Sequence, residues 1–261
     1  MISCEQLKSL IDTKLSLYVN GVPILDTLEK TLEGQAFVGH KDAVTSIKII
    51  KDRIITGSRD KSVKIFSLDG VCLFSYTHSK AVTCLALGDG FIASGSRDGK
   101  IKVYVEAQNK LMELNGHFSG VNCLSVMGVY MASGDDDGSI VVWKDFVVYK
   151  RLKHEREVLS ISFSPNLLYL ASASFDKTVR IWSVETGKMI SKYFHVDFVY
   201  KVMFLNDLVI SCSKDKTVKL YKVSKKKIIS DLICDDEVYC FDYANDQLVC
   251  GSKSNRVYFF K

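Results

Sequence analysis

Apolar residues in this chain fall in short bursts. From Val44 onward, runs of four to eight β-branched and aromatic residues are broken by Gly, Asp, Asn and Ser. Runs bounded in this way predict strands joined by tight turns. The stretch "ASASFDKTVRIWSVETGKMISKYFH" (Ala171 to His195) has counterparts in "ASGSRDGKIKVYVEAQNKLMELNGH" (Ala93 to His117) and "SCSKDKTVKLYKV" (Ser211 to Val223). Each holds small residues, one Asp in a turn, a β-branched run and an aromatic. A segment restated at a fixed interval is a structural unit that buries its apolar face only against its neighbours.

The interval can be counted. All five histidines keep register, His40, His78, His117, His154 and His195, at steps of 38, 39, 37 and 41. An aspartate follows each, Asp60, Asp98, Asp137, Asp176 and Asp215, after 20, 20, 20, 22 and 20 residues. Six residues beyond each Asp stands an aromatic: Phe66, Tyr104, Trp143, Trp182 and Tyr221. A sixth copy lacks the polar marks, with Ser254 at the Asp position, Phe260 at the aromatic and "ICDDE" (Ile233 to Glu237) where a His is expected. A valine opens the next strand each time: Val44, Val82, Val121, Val158, Val199 and Val238. Two residues on stand Ser46, Cys84, Cys123, Ser160, Lys201 and Cys240. Small residues dominate there, which suits a strand packed face to face with a neighbour and gives three cysteines a packing role.

Four short strands per period of about 39 residues match one blade of a β-propeller. Six blades are counted, or seven if residues 13–33 form part of another. The last run, "RVYFFK", leaves the sixth blade without an outer strand. One is expected from near the N-terminus, around "GQAFVGH" (Gly34 to His40), because such closure removes exposed strand edges.

The Gly39-His40 and Gly116-His117 dipeptides, and weakened W-D pairs such as Trp182-Ser183, resemble the WD40 family over roughly residues 34–261. The resemblance implies an all-β WD40 propeller preceded by a short α/β N-terminal extension, residues 1–33. It also implies a structural network in which the turn Asp and the His bond each other, the His bonds a Ser or Thr, and that hydroxyl meets the Trp. Here the network members are His40, Asp60, His78, Asp98, His117, Asp137, Trp143, His154, Asp176, Trp182, His195 and Asp215. Where Trp gives way to Phe or Tyr the network is expected to be shortened, and blade six is expected to be the softest.

Composition adds limits. The 35 basic and 30 acidic residues leave a net charge of +5, which permits RNA or an acidic partner without requiring either. Lys225 to Lys227 read as a solvated turn. The eight cysteines include no C-x-x-C pair, so the usual zinc spacing is missing. With no basic-then-apolar leader at "MISCEQLKSLIDTKL", the chain reads as intracellular with buried, reduced thiols and no membrane span. A His, Asp and Ser in every blade invites comparison with a catalytic triad, but five equal copies cannot all be active sites and no histidine is left over. "GDDDG" (Gly134 to Gly138) resembles part of a calcium loop, yet it is the repeat turn with two extra acids. No enzyme activity, cofactor, metal or small-molecule substrate is expected.

Function is then expected on the faces. The residue before each turn Asp lies near the top of its blade: Arg59, Arg97, Asp136, Phe175, Lys214 and Lys253. Tyr200 and Tyr239, just past the strand-opening valines, lie near the same face. A basic, aromatic-bearing top face could meet protein acids or RNA phosphates.

Particular stretches go further. "SFSPNLLYLASASFDKTVRIWSVETGK" (Ser162 to Lys188), then "VYKV" and "SCSKDKTVKLYKV", then "SDLICDDEVYCFDY" and "VCGSKSNRVYFFK" resemble, in order, the final blades of the Notchless family of ribosome-assembly propellers. "SGDDDGSIVVWK" (Ser133 to Lys144) resembles the blade before them. "CEQLKSLIDTKLSLYVNGVPILDTLEKTLEGQ" (Cys4 to Gln35) resembles part of that family's ubiquitin-like N-terminal domain, here truncated. The resemblance implies a non-catalytic scaffold for large-subunit (pre-60S) assembly in the nucleolus or nucleus, with pre-60S ribosomal proteins, and rRNA besides, as partners. The family has eight blades against six here. Its acidic residue for midasin, an AAA-type ATPase, has no counterpart that can be placed; Glu33 is merely the nearest acid, so midasin coupling is not carried over. The alternative is a generic WD40 interaction scaffold, such as a ubiquitin-ligase substrate adaptor or signalling platform.

Overall fold

Asp, Gly and Asn punctuate the apolar runs, and at those points the chain reverses. The computed structural model describes residues 18–19, 22–23, 39–244, 246–254 and 256–260, in two units divided after Gly39. In the first, β1 (Tyr18–Val19) pairs antiparallel with β2 (Val22–Pro23). The ubiquitin-like reading of residues 1–33, and the greater part of the closing strand expected at Gly34 to His40, lie outside the described residues.

The second unit is a succession of antiparallel sheets. Sheet one holds β3 (Val44–Ile50), β4 (Arg53–Ser58), β5 (Ser62–Ser67) and β6 (Cys72–Thr77). Sheet two holds β7 (Val82–Gly88), β8 (Phe91–Ser96), β9 (Lys100–Val105) and β10 (Lys110–Asn115). Sheet three holds β11 (Val121–Met127), β12 (Tyr130–Asp135), β13 (Ser139–Lys144) and β14 (Val147–Lys153). Sheet four holds β15 (Val158–Phe163), β16 (Tyr169–Ser174), β17 (Thr178–Ser183) and β18 (Met189–Phe194). Sheet five holds β19 (Val199–Leu205), β20 (Leu208–Ser213), β21 (Thr217–Lys222) and β22 (Lys227–Ile233). Sheet six holds β23 (Val238–Ala244), β24 (Gln247–Ser252) and β25 (Val257–Phe260). This is the all-β, six-blade propeller expected from the repeat, with three strands in the last blade among the described residues.

One contact joins the sheets. From sheet two onward, each first strand packs on the first and second strands of the sheet before it. The opening valine is the wedge: Val82, Val121, Val158, Val199 and Val238 are fully buried. Small residues receive it. A Cβ added at Gly57 would lie 2.7 Å from Val82 Cγ1, at Gly95 2.7 Å from Val121 Cγ1, and at Gly134 2.6 Å from Val158 Cγ1. Buried Ala173 and Cys212 serve Val199 and Val238 in the same core clusters. Removing each valine from water contributes roughly 1.5–3 kcal/mol. Threonine hydroxyls reinforce the joints: Thr45 Oγ1 lies 2.7 Å from the Val82 carbonyl, and Thr83 Oγ1 2.5 Å from that of Val121.

The thiols are less uniformly buried than expected. Cys123, Cys212, Cys234 and Cys250 are buried, but Cys72 and Cys240 are exposed, and no disulfide occurs among the described residues. Cys72 opens an outer strand, and Cys240 faces the side of sheet six on which no further sheet packs among the described residues.

The wedge geometry separates two glycines. Gly134→Val drives methyls into Val158 and Cys123 Sγ and should destabilise by about 2 kcal/mol or more. Gly251→Val, whose Cβ meets only Cys240 Sγ among the described residues, should cost less than half as much. Urea unfolding midpoints test the pair; equal losses would show that the wedge is not what the small residue serves.

Candidate functional site

The polar residues of the repeat converge at the turn between the second and third strands. In sheet four, Asp176 Oδ1 accepts from the Thr178 N–H (3.0 Å) and hydroxyl (2.6 Å). Its Oδ2 is 2.7 Å from His154 Nδ1, and His154 Nε2 is 2.7 Å from Ser172 Oγ. The Trp182 indole N–H donates to that same Oγ at 2.8 Å. One arrangement satisfies every member: Trp N–H to Ser oxygen, Ser O–H to Nε2, and Nδ1–H to carboxylate, with the imidazole neutral. Burial holds His154 below the ordinary histidine range. Burial also pushes the Asp176 carboxyl upward, but the hydrogen bonds from His154, Thr178 and the Glu155 N–H and the electrostatic attraction of His154 outweigh it and keep the group well below the usual carboxylate range.

Sheet five repeats the pattern through Asp215, His195, Ser211 and Thr217. Sheet one does so through Asp60, His40, Thr56 and Ser62. In sheet two the His78–Asp98 contact stretches to 3.4 Å, and His78 Nδ1 has no hydrogen bond among the described residues. Lys100 there replaces the hydroxyl of Ser62, Thr178 and Thr217. Asp98 is still lowered, to about 2: burial raises it, and bonds from Lys100 and Ser79 more than offset that.

Sheet three corrects the expectation for Asp137. His117 Nδ1 bonds Asp135 Oδ2 at 2.8 Å, and Asp135 Oδ1 accepts from the Asp137 and Ser139 N–H groups. Asp135 stands where the other complete turns have Ser58, Ser96, Ser174 or Ser213. A carboxylate two residues earlier reaches the imidazole itself, and it is buried. Asp137 is released. Two acids of "GDDDG", Asp135 and Asp136, are thus engaged within the protein, and no metal-holding cluster of His, Cys, Asp and Glu occurs among the described residues.

The networks are also not shortened wherever Trp is lost. In sheet two the hydroxyl of Tyr76, from the outer strand of sheet one, bonds Ser94 Oγ at 3.1 Å. In sheet five Tyr193, from the outer strand of sheet four, bonds Ser211 Oγ at 2.9 Å while its ring stacks on Tyr221 at 4.6 Å. A phenol from one sheet stands in for an indole in the next. Phe66 of sheet one has no such substitute among the described residues, and there the shortening holds. Each Ser–His–Asp set has a triad's connectivity, but Ser94, Ser133, Ser172 and Ser211 are fully buried, so no substrate atom reaches them.

The top face carries the other candidates, and three of its four basic residues are set against acids, Arg97 one repeat along and Lys214 and Lys253 within their own repeats. Arg97 pairs with Asp136 at 2.9 Å, and Asn122 holds the other Asp136 oxygen. Lys214 lies 3.8 Å from Asp197 and Lys253 3.3 Å from Glu237. Arg59 is exposed with no acid set against it among the described residues. What distinguishes the face is aromatic. Phe175 and Phe198 pack at 4.4 Å between centroids, with Arg156 over both rings and Lys214 over Phe198 at 5.1 Å. Two residues on, Tyr200 meets Tyr239 edge-on at 5.1 Å, and the Tyr239 hydroxyl donates to Glu237. Burial, with Glu237 and Tyr239 nearby, pushes the Tyr200 phenol up to about 12, so it remains a neutral donor. The structure therefore brings Phe175, Tyr200, Lys214, Tyr239 and Lys253 together on sheets four to six and leaves Arg59 and Arg97 apart on sheets one and two. Sequence reasoning missed Arg156 and Phe198. A signal existed for the latter: its position before the wedge valine reads Ala43, Ala81, Gly120, Glu157, Phe198, Glu237.

Comparison with known proteins agrees with this geometry. The model of the WD domain, G-beta repeat, matches residues 31–67, 70–104, 108–144 and 147–183, more than half of the chain. That of the TEP-1 C-terminal beta-propeller matches residues 195–261. The U3 small nucleolar RNA-associated protein 13 of Saccharomyces cerevisiae is 44% identical over 41 residues, 16% of this chain and 5% of that protein. The chain thus spans only a small part of that relative's length. A crystal structure of the computationally designed Ika8 protein superposes with a TM-score of 0.78 at 25% identity, over 85% of this chain and 72% of that one.

Three outcomes follow from the networks. Asp135→Asn should cost about 2 kcal/mol and Asp137→Asn under about 0.5. Tyr193→Phe should cost about 1–2 kcal/mol, while Tyr221→Phe should be nearly neutral. Chemical denaturation measures all four, and a reversed order in either pair would contradict the assignments. Because His154 titrates lower folded than its ordinary 6.5, the unfolded chain takes up that proton first. Its contribution is full above pH 6.5 and declines below it; the carboxylates add losses only below about 3.8. The melting temperature should therefore fall between pH 7.5 and 5.5, and a flat profile would argue against neutral, buried imidazoles.

Proposed function

The chain belongs to the WD40-repeat family, and from that premise we propose that it is a non-catalytic scaffold in large-subunit (pre-60S) ribosome assembly, working in the nucleolus or nucleus. The observation that carries the mode of binding is the Phe175–Phe198 pair under Arg156 and Lys214, continued by Tyr200 and Tyr239. Rigid aromatic rings bordered by paired charges suit a protein segment better than a phosphate backbone, which calls for unpaired cations. A ribosomal protein of the precursor is the favoured partner, with rRNA contact secondary.

The assembly role is supported by the ordered resemblance of the last blades to the Notchless family, and by the 41-residue likeness to a small nucleolar RNA-associated protein. The match of residues 195–261 to a TEP-1 propeller favours, as a second reading, a WD40 scaffold serving other clients. No helix among the described residues is long and apolar enough to cross a membrane.

Sedimentation of the tagged chain through a sucrose gradient, probed for large-subunit precursor RNA, tests the proposal. Co-migration with the precursor is expected. Phe175→Ala with Phe198→Ala should move the chain to light fractions by weakening binding about tenfold or more, with circular dichroism unchanged. The reversal of Arg59, Arg97 and Lys214 to Glu should weaken association less. Wild-type chain confined to light fractions would discard the assembly role; retention of the double alanine variant would discard the aromatic strip.

A further inference from the structure

Sheets four and five carry the aromatic strip at the end where their second and third strands turn. Their opposite end is built from other residues. There the β15–β16 turn (residues 164–168) and the β19–β20 turn (206–207) meet the β21–β22 turn (223–226). Between them lies a cavity of about 270 Å³, lined by Tyr169, Phe204 and Val223 together with Asn166, Asn206 and Asp207. Asp207 is engaged within the protein: its Oδ1 accepts the Ser224 N–H at 3.1 Å and its Oδ2 the Ser224 hydroxyl at 2.5 Å. Asn166 Oδ1 accepts from the Ser164 hydroxyl and the Leu168 N–H, so its own N–H groups stay available among the described residues. Asn206 is exposed and its amide has no partner among the described residues.

The Ser224 clamp also fixes a turn that carries charge. Lys222 and Lys227 are paired across the ladder, and Lys225 and Lys226 fill the turn. Lys188 stands beside it on sheet four, its carbonyl bonded to Ser183, the strand partner of Tyr169. None of these five lysines has an acid set against it among the described residues, and the turns hold two acids, Asp207 and Glu185. The equivalent junction between sheets two and three differs in sign. Its cavity, about 350 Å³, is lined by Phe91, Tyr130 and Phe146 but also by the exposed Asp89 and Asp145, whose carboxylates would repel a phosphate.

We propose that the junction beneath sheets four and five binds single-stranded RNA, with one base in the Tyr169–Phe204 cavity and the neighbouring phosphates on Lys188, Lys222 and the 225–227 lysines. Aromatic walls give a base a face to lie on, and side-chain amides, donor and acceptor at once, suit the edge of an unpaired base. The cavity is smaller than the roughly 300–1,000 Å³ that holds a drug-sized ligand, and it suits a single base. An acidic peptide would use the lysines and leave the aromatic cavity empty. This surface is additional to the aromatic strip, and it rests on the scaffold reading only for the source of the RNA.

Fluorescence anisotropy of the purified full chain with a fluorescein-labelled, mixed-sequence RNA of about ten nucleotides tests the proposal. Saturable binding is expected at about 50 mM salt. Changing Lys225, Lys226 and Lys227 together to Ala should weaken it about tenfold or more and reduce the slope of log K against log salt by about 2. Tyr169→Leu and Asn206→Gly should each weaken it about fivefold or more with the slope unchanged. Asn206 has a φ of 53°, which glycine also adopts, so that variant reports on the cavity even where Tyr169→Leu lowers the melting temperature. Phe175→Ala with Phe198→Ala should bind the RNA as the wild type does, which separates this result from the sedimentation test. No saturable binding, displacement by an oligoglutamate of equal length as readily as by unlabelled RNA, or binding untouched by both cavity variants would overturn the proposal.

Discussion

A tight turn pressed against a neighbouring strand buries polar atoms that must each find a partner. That requirement organises the molecule. An unpaired buried donor or acceptor costs about 1–3 kcal/mol, and every repeat has several at the same place. The carboxylate that caps the turn, the neutral imidazole above it and the hydroxyl beyond form one connected answer. Once the turn is fixed, the second strand presents its small residue to the next sheet, and the wedge valine has somewhere to go. Sheet stacking follows from turn satisfaction.

The solution varies in its parts while keeping its connectivity. Asp135 takes over from the usual turn position, and phenols from Tyr76 and Tyr193 do the work of an indole. Interior networks of this kind are worth more complete than partial, so a loss in one sheet is made good from its neighbour. Sheet six has no histidine at its turn; there the Tyr258 hydroxyl accepts the Asp235 N–H, and Arg256 meets the Asp235 carboxylate. Function falls to surfaces that these networks leave alone.

Much of this was legible beforehand. Period, strand order and the roles of His, Ser and Trp depend on spacing within one repeat, and spacing is printed in the chain. What escaped depends on neighbours a repeat away. Arg97–Asp136 are 39 residues apart and Tyr193–Ser211 are 18. Reading each repeat alone left Arg97 looking unpaired and the Tyr-bearing networks looking truncated. The Asp135 exchange was hidden differently: an aspartate at the expected spacing, Asp137, was present but unused. Cys240 occupied a small-residue position that no sheet covers among the described residues, which no pattern within sheet six reveals.

Backbone amide hydrogen exchange would test most directly whether the turn networks hold the sheets. The Thr178 and Thr217 N–H groups donate to the network carboxylates at 3.0 Å. They should exchange as slowly as the core strands beside them, whereas the corresponding Arg256 amide of sheet six should exchange orders of magnitude faster. Equal protection at all three positions would contradict a fold held by these buried carboxylate–imidazole contacts.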